Sequence, residues 1–211
     1  MMKKKPSLKT FLLLLILPVL GLVVFSFWEI DLFAKTESQE LEQFFKDMGV
    51  LQIPAGNDPI EIILKDPAGR LTSLSEYRGK IVFINFWTTW CLACVVEMPS
   101  MEKLHQKFKD RDFAMIAVNL QESASKVIKF FKEYKLTFTA LLDTTGDVGA
   151  GFGIRAIPTT LILDKNGRLI GKVFGPREWD GRDSFALFEY LTDSYVASSN
   201  SKSTNYTLQK R

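Results

Sequence analysis

Cys91 and Cys94 are the only two cysteines in the 211-residue chain, and they stand three positions apart in Cys91-Leu92-Ala93-Cys94. On a helix, positions i and i+3 share a face, so the two sulfurs can meet and form a disulfide. The pair directly follows Ile81-Val82-Phe83-Ile84-Asn85-Phe86-Trp87, an unbroken apolar run with β-branched residues that reads as a strand buried on both faces. A helix opening there brings its first-turn amides and its dipole to Cys91, which favours the thiolate. The thiolate is the attacking species in disulfide exchange. An accessible nucleophile with a shielded partner one turn further on is therefore a complete two-electron device.

Other uses of a cysteine pair fit less well. A zinc site needs about four ligands, and beyond the pair only His105 offers a soft one. Attachment of a c-type haem needs a histidine directly after the second cysteine, where this chain has Val95. A purely structural bridge across three residues closes too small a loop to stabilise much. Redox chemistry on the sulfurs themselves is the expectation, with no metal and no cofactor.

The elements around the pair must present it. Residues 61–65 and 70–73 read as a hairpin turned at Asp66-Pro67-Ala68-Gly69. The 81–87 strand is followed by a helix over 92–109, bent at Pro99, then by a second buried strand at 113–119 and a helix at 125–134. After a loop and a short helix at 147–152 come strands at 159–163 and 168–174. Their connection, Asp164-Lys165-Asn166-Gly167, ends in the Asn-Gly that tight hairpins favour because both residues accept positive φ. A last amphipathic helix spans 183–193. The order β-α-β-α followed by β-β-α requires a parallel pair and an antiparallel pair, hence a mixed central sheet with helices on both faces.

The rest of the chain concerns location. Lys3, Lys4, Lys5 and Lys9 precede a stretch, 10–28, without a single charge. Those residues as a helix rise about 28 Å, close to the hydrocarbon thickness of a bilayer. The lysines keep the N-terminus cytoplasmic and direct everything after Trp28 outside. A cleaved signal peptide would need small residues at its exit, and Phe25-Ser26-Phe27-Trp28 is bulky there. The expected organisation is a basic segment at 1–9, a transmembrane anchor at 10–28, a linker with a short helix at 29–57, one α/β domain at 58–195 and a disordered tail at 196–211. Formal net charge is +3. The four leading lysines account for it, so the body is near neutral and lacks the basic face that nucleic acid requires.

Several stretches together resemble a family. Gly79 to Pro99, Tyr134, Gly153-Ile154-Arg155-Ala156-Ile157-Pro158-Thr159-Thr160 and Asp164-Lys165-Asn166-Gly167 with Gly175 are similar to the thioredoxin superfamily, and within it to the TlpA/ResA/CcmG-like membrane-anchored thiol-disulfide oxidoreductases. The resemblance covers most of 58–195. It implies a thioredoxin-like fold with an extra N-terminal hairpin, tethered outside the cytoplasmic membrane.

It also implies roles for individual residues. Pro158 matches the cis-proline beside the cysteines, although X-Pro bonds are cis in only about 5–6% of cases. Ile157 would then pair with a substrate segment as an added strand. Trp90 would cover the disulfide and shape the docking surface, its alternative being an ordinary core aromatic. Glu97 follows Cys94 by three positions on the buried side of the helix, where a carboxyl of raised pKa can relay protons; the alternative is a solvated first-turn carboxylate. Asn85 stands where many thioredoxins carry an Asp and cannot titrate, so it is left to hydrogen bonding in the sheet. His105 reads as a surface residue.

The expected activity is reduction of protein disulfides, with apocytochrome c as a candidate substrate. Electrons would come from a membrane protein of the DsbD/CcdA type. The Leu92-Ala93 dipeptide lacks the histidine that would stabilise the thiolate further, which disfavours a strongly oxidising character. A thiol peroxidase of the same superfamily and a non-catalytic docking module are the competing readings.

Overall fold

The computed structural model describes residues 39–54 and 58–193. The expected basic segment, anchor and C-terminal tail lie outside the described residues. Among the described residues no helix is long and apolar enough to cross a membrane.

In chain order the elements are helix α1 (residues 39–47), β1 (Leu51–Gln52), β2 (Ile63–Lys65), β3 (Leu71–Ser73), β4 (Ile81–Trp87), α2 (Leu92–Phe108), β5 (Phe113–Leu120), α3 (Ala124–Tyr134), β6 (Thr139–Asp143), α4 (Asp147–Gly151), β7 (Thr159–Leu163), β8 (Leu169–Phe174) and α5 (Arg182–Asp193). One eight-stranded sheet runs β1-β8-β7-β4-β5-β6-β2-β3. The β4–β5 and β5–β6 pairs are parallel and the others antiparallel, so the sheet is mixed.

Crossover handedness sets where the helices go. Both parallel steps move the same way across the sheet, and right-handed connections then put α2 and α3 on one face. Residues of α2, α3 and α5 accordingly share one apolar cluster with Ile81, Phe83 and Trp87 of β4, while Val82, Ile84 and Phe86 belong to the cluster on the opposite face. Period-two alternation along β4 places Asn85 on the α2 side. That placement matters for the site below.

Three features depart from the sequence reading. Residues 139–143, expected to be loop, form β6 between β5 and β2. The run is short and unpatterned, and α3 makes it a strand by delivering it alongside β5, whose open edge it pairs. The domain core also begins ahead of residue 58, because Leu41, Phe45 and Val50 are buried in the α2-side cluster and β1 pairs with β8. In the 164–167 connection only Gly167 has positive φ, at 79°. Asp164 organises that turn instead, its buried Oδ1 accepting from the backbone N–H of Asn166 and Arg168 at 2.9 and 2.8 Å.

Candidate active site

The cysteines sit where β4 hands over to α2. Cys91 is the N-cap of α2, with extended dihedrals of −80° and 100°, and its Sγ accepts from the backbone N–H of Cys94 at 3.2 Å. A sulfur therefore takes the place that a Ser or Asp oxygen fills at most helix starts. An amide donor and the positive end of the dipole both face it, which favours the thiolate once the pair is reduced. No acidic residue lies in the first turn of the helix to oppose this. Cys91 and Cys94 are joined as a disulfide, with Cα atoms 5.2 Å apart. Cys91 keeps 8% of its surface exposed and Cys94 none.

The loop before β7 approaches the same sulfur. The Ile157–Pro158 peptide is cis, and the Ile157 carbonyl oxygen lies 3.8 Å from Cys91 Sγ. Among the described residues, neither the N–H nor the carbonyl of Ile157 takes part in a backbone–backbone hydrogen bond. Trp90 is 73% exposed, so it is a surface residue beside the disulfide and not core. Leu92 and Val96, one turn apart on α2, are exposed too.

Glu97 is 2% exposed, which removes the reading of a solvated first-turn carboxylate. Its Oε1 accepts from Asn85 Nδ2 at 2.8 Å; its Oε2 accepts from Arg177 N and Trp179 Nε1, both at 3.1 Å. Burial pushes the carboxyl above its ordinary value, although the Arg177, Trp179 and Asn85 donors each pull it down. Asn85 reaches beyond the backbone ladder: its Nδ2 also donates to Thr160 Oγ1 at 3.0 Å, which links β4, β7 and α2. Ser100 Oγ accepts from Trp179 N at 3.1 Å and fastens the 175–181 loop to the helix.

A second buried carboxylate holds the segment in front of Cys91. Glu122 accepts from Thr89 N and Thr89 Oγ1, both at 2.7 Å, and from Asn119 Nδ2 at 2.9 Å. Burial raises this carboxyl, but donation from Asn119 and Thr89, with Lys126 nearby, brings it net below the ordinary range. Sequence reasoning did not single out Glu122, Arg177 or Trp179. Glu122 and Thr89 are 33 positions apart and Trp179 and Glu97 82 apart, so no local spacing signals either contact.

His105 is half-buried, edge-on to Phe138, and its pKa is lowered by burial. It is therefore not the surface residue that its mid-helix position suggested. Among the described residues no group of three or more metal-binding side chains occurs.

A CxxC pair capping a helix at the end of a central strand, with a cis-proline loop against the outer sulfur, defines a thioredoxin-type thiol-disulfide oxidoreductase. The chain belongs to the AhpC/TSA family of thioredoxin-like proteins, whose pattern matches residues 55–171. It is 32% identical over 174 residues to the thiol-disulfide oxidoreductase ResA of Bacillus cereus, spanning 82% of this chain and 91% of that protein. With the protein of the same name from Bacillus subtilis it shares 33% over 176 residues, 82% of this chain and 88% of the relative. Among solved structures, StoA from Bacillus subtilis superposes with a TM-score of 0.52 at 26% identity, covering 64% of this chain and 98% of that one.

Proposed function

We propose that this protein is a membrane-anchored, extracytoplasmic reductase of protein disulfides. The observation that carries the reading is the asymmetry of the two sulfurs: Cys91, the helix cap, keeps 8% of its surface exposed, and Cys94 behind it keeps none. In the reduced protein the Cys91 thiolate attacks one sulfur of a substrate disulfide, forming a mixed disulfide and releasing the other substrate sulfur as a thiolate. Cys94 then loses its proton, attacks Cys91 Sγ and expels the second substrate sulfur. Two electrons pass to the substrate, and the protein is left as the Cys91–Cys94 disulfide.

Glu97 takes up the Cys94 proton in this scheme. It follows Cys94 by three positions on the same helical face, and a carboxyl whose pKa burial raises is better suited to taking up and returning a proton than an ordinary surface carboxylate. Trp90 and the unpaired backbone of Ile157 receive the substrate chain, which adds as a short strand beside Pro158.

The uncharged 10–28 stretch behind four lysines supports the location, with the N-terminus cytoplasmic and the domain outside. Cytosolic thioredoxin does not reach that side, so a membrane electron donor of the DsbD/CcdA type re-reduces the pair. Apocytochrome c before haem attachment is the substrate this location and direction favour.

Cys94→Ser in the full chain tests the scheme. It is expected to accumulate mixed disulfides through Cys91, detectable by non-reducing electrophoresis and mass spectrometry, while Cys91→Ser traps none. Recovery of none with Cys94→Ser, while Cys91 still reacts with an alkylating probe, contradicts it. A reduction potential below about −220 mV supports a reductant, and one near −120 mV assigns an oxidant.

A further inference from the structure

A groove of about 420 Å³ opens beside the disulfide, with Trp90, Leu120, Ile154 and Ile157 among its walls. Its volume lies within the range of small recognition pockets, about 300–1,000 Å³. Trp90 and Ile157 connect it to the chemistry, since one precedes Cys91 in the chain and the other touches its sulfur.

The only charge in the lining is positive. Arg155 is exposed and takes part in no ion pair or hydrogen bond among the described residues. No Asp or Glu lines the groove. Thr88, only 2% exposed, also lines it, and its hydroxyl has no hydrogen-bond partner among the described residues. Gln121 is held in the left-handed region at φ 57°, with its N–H donating to Asp143 O at 2.9 Å and its Nε2 to Thr145 O at 3.1 Å. The result is a slot of mixed lining, with apolar walls from Trp90, Leu120, Ile154 and Ile157 and one unneutralised cation in Arg155.

We propose that this groove is a specificity subsite for the substrate polypeptide, taking an apolar side chain next to the attacked cysteine while Arg155 pairs with an acidic residue beside it. The proposal rests on the disulfide-exchange reading and adds the sequence class of the substrate. A polypeptide is favoured over a small disulfide because the N–H and carbonyl of Ile157 have no backbone partner among the described residues and can meet an adjoining strand.

The test uses the full chain in detergent, reduced, mixed with synthetic peptides carrying one internal disulfide. Leu-Glu, Leu-Lys or Ala-Glu flanks the attacked cysteine, on either side in two series. Oxidation of Cys91–Cys94 is followed by acid quench and mass spectrometry. The Leu-Glu peptide is expected to react at least about threefold faster than Leu-Lys, an advantage that inverts in Arg155→Glu and shrinks at about 1 M salt. Ala-Glu is expected to react about tenfold more slowly than Leu-Glu, from the lost apolar burial. Lys109→Glu, the same charge change at the far end of the 17-residue helix α2, keeps the wild-type preference.

An unaltered Glu-to-Lys ratio in Arg155→Glu overturns the proposal, as does Ala-Glu matching Leu-Glu. Oxidised glutathione outpacing every peptide would assign the groove to a small disulfide and overturn it as well. A chain that no disulfide oxidises would bring down the exchange reading itself, a result distinct from indifference to peptide sequence.

Discussion

Asn85 Nδ2 donates to Glu97 Oε1 at 2.8 Å, so the central strand and the helix bearing both cysteines meet on one buried carboxylate. Asn85 keeps its own Oδ1 without a partner among the described residues. A flip of the Asn85 amide therefore lets an amide at position 97 be accommodated, with donor meeting acceptor. Glu97→Gln is expected to fold and to slow the resolving step by about 10²-fold, the lower end of what general acid–base catalysis supplies. Its rate is also expected to lose the pH dependence of the wild type. Rapid-quench measurement of mixed-disulfide decay between pH 5 and 9 reads both effects.

The same carboxyl gives stability a definite pH sign. Glu97 holds its proton to higher pH in the fold than in the unfolded chain, whose ordinary value is 4.5. Between those two values the native state binds more protons, so stability falls as pH rises through that window. Urea titrations are expected to show Glu97→Gln gaining on the wild type as pH rises above the ordinary value of 4.5.

Glu122 carries the opposite sign. Its carboxyl lies below the ordinary value of 4.5, so its contribution is present above that pH and is lost as pH falls through the folded value. Glu122→Gln puts an amide where Thr89 and Asn119 present donors. A loss of about 1–3 kcal/mol is expected at pH 7, narrowing toward pH 3. Denaturant midpoints at the two pH values check it.

Trp90 separates binding from folding. Its side chain is exposed, so Trp90→Ala is expected to leave stability within about 0.5 kcal/mol of wild type. Loss of the ring beside the disulfide is expected to lower kcat/KM for insulin reduction by about tenfold, in keeping with an aromatic anchor at a binding surface. A turbidity assay paired with thermal melts tests the two halves together.

Residues 41–52 are expected to be required for folding. Phe45 is fully buried, and its ring lies within 3.2 Å of where a Cβ on Gly171 would stand. The same Cβ would come 2.7 Å from Val50 Cγ1, so α1 and β1 seat on β8 only because position 171 has no side chain. Phe45→Ala is expected to cost about 3–5 kcal/mol, and Gly171→Ala about 1–3 kcal/mol through overpacking. Urea unfolding of both variants measures this.

Much of the site was legible along the chain. The apolar run 81–87, the cysteine spacing and the helix after it are short-range properties, set by the two-residue repeat of a strand and the i, i+3 geometry of a helix. They were enough to place Cys91 at a helix start and Cys94 behind it. Strand 139–143 was not legible, because five residues without a clear alternation acquire their conformation from the neighbour they pair with. The short helix expected in the linker was legible as a helix but not in its destination, which depends on a bare glycine in β8.

The chemistry of the pair thus follows from residues that are neighbours in sequence, whereas its environment comes from residues that are not. Sheet register and right-handed crossovers carry Ile157 to the sulfur of Cys91 from 66 positions away, and Arg177 and Trp179 to Glu97 from 80 and 82. Chain-local geometry has no term for such meetings. They exist only once the strands have chosen their order and the helices the face on which they pack.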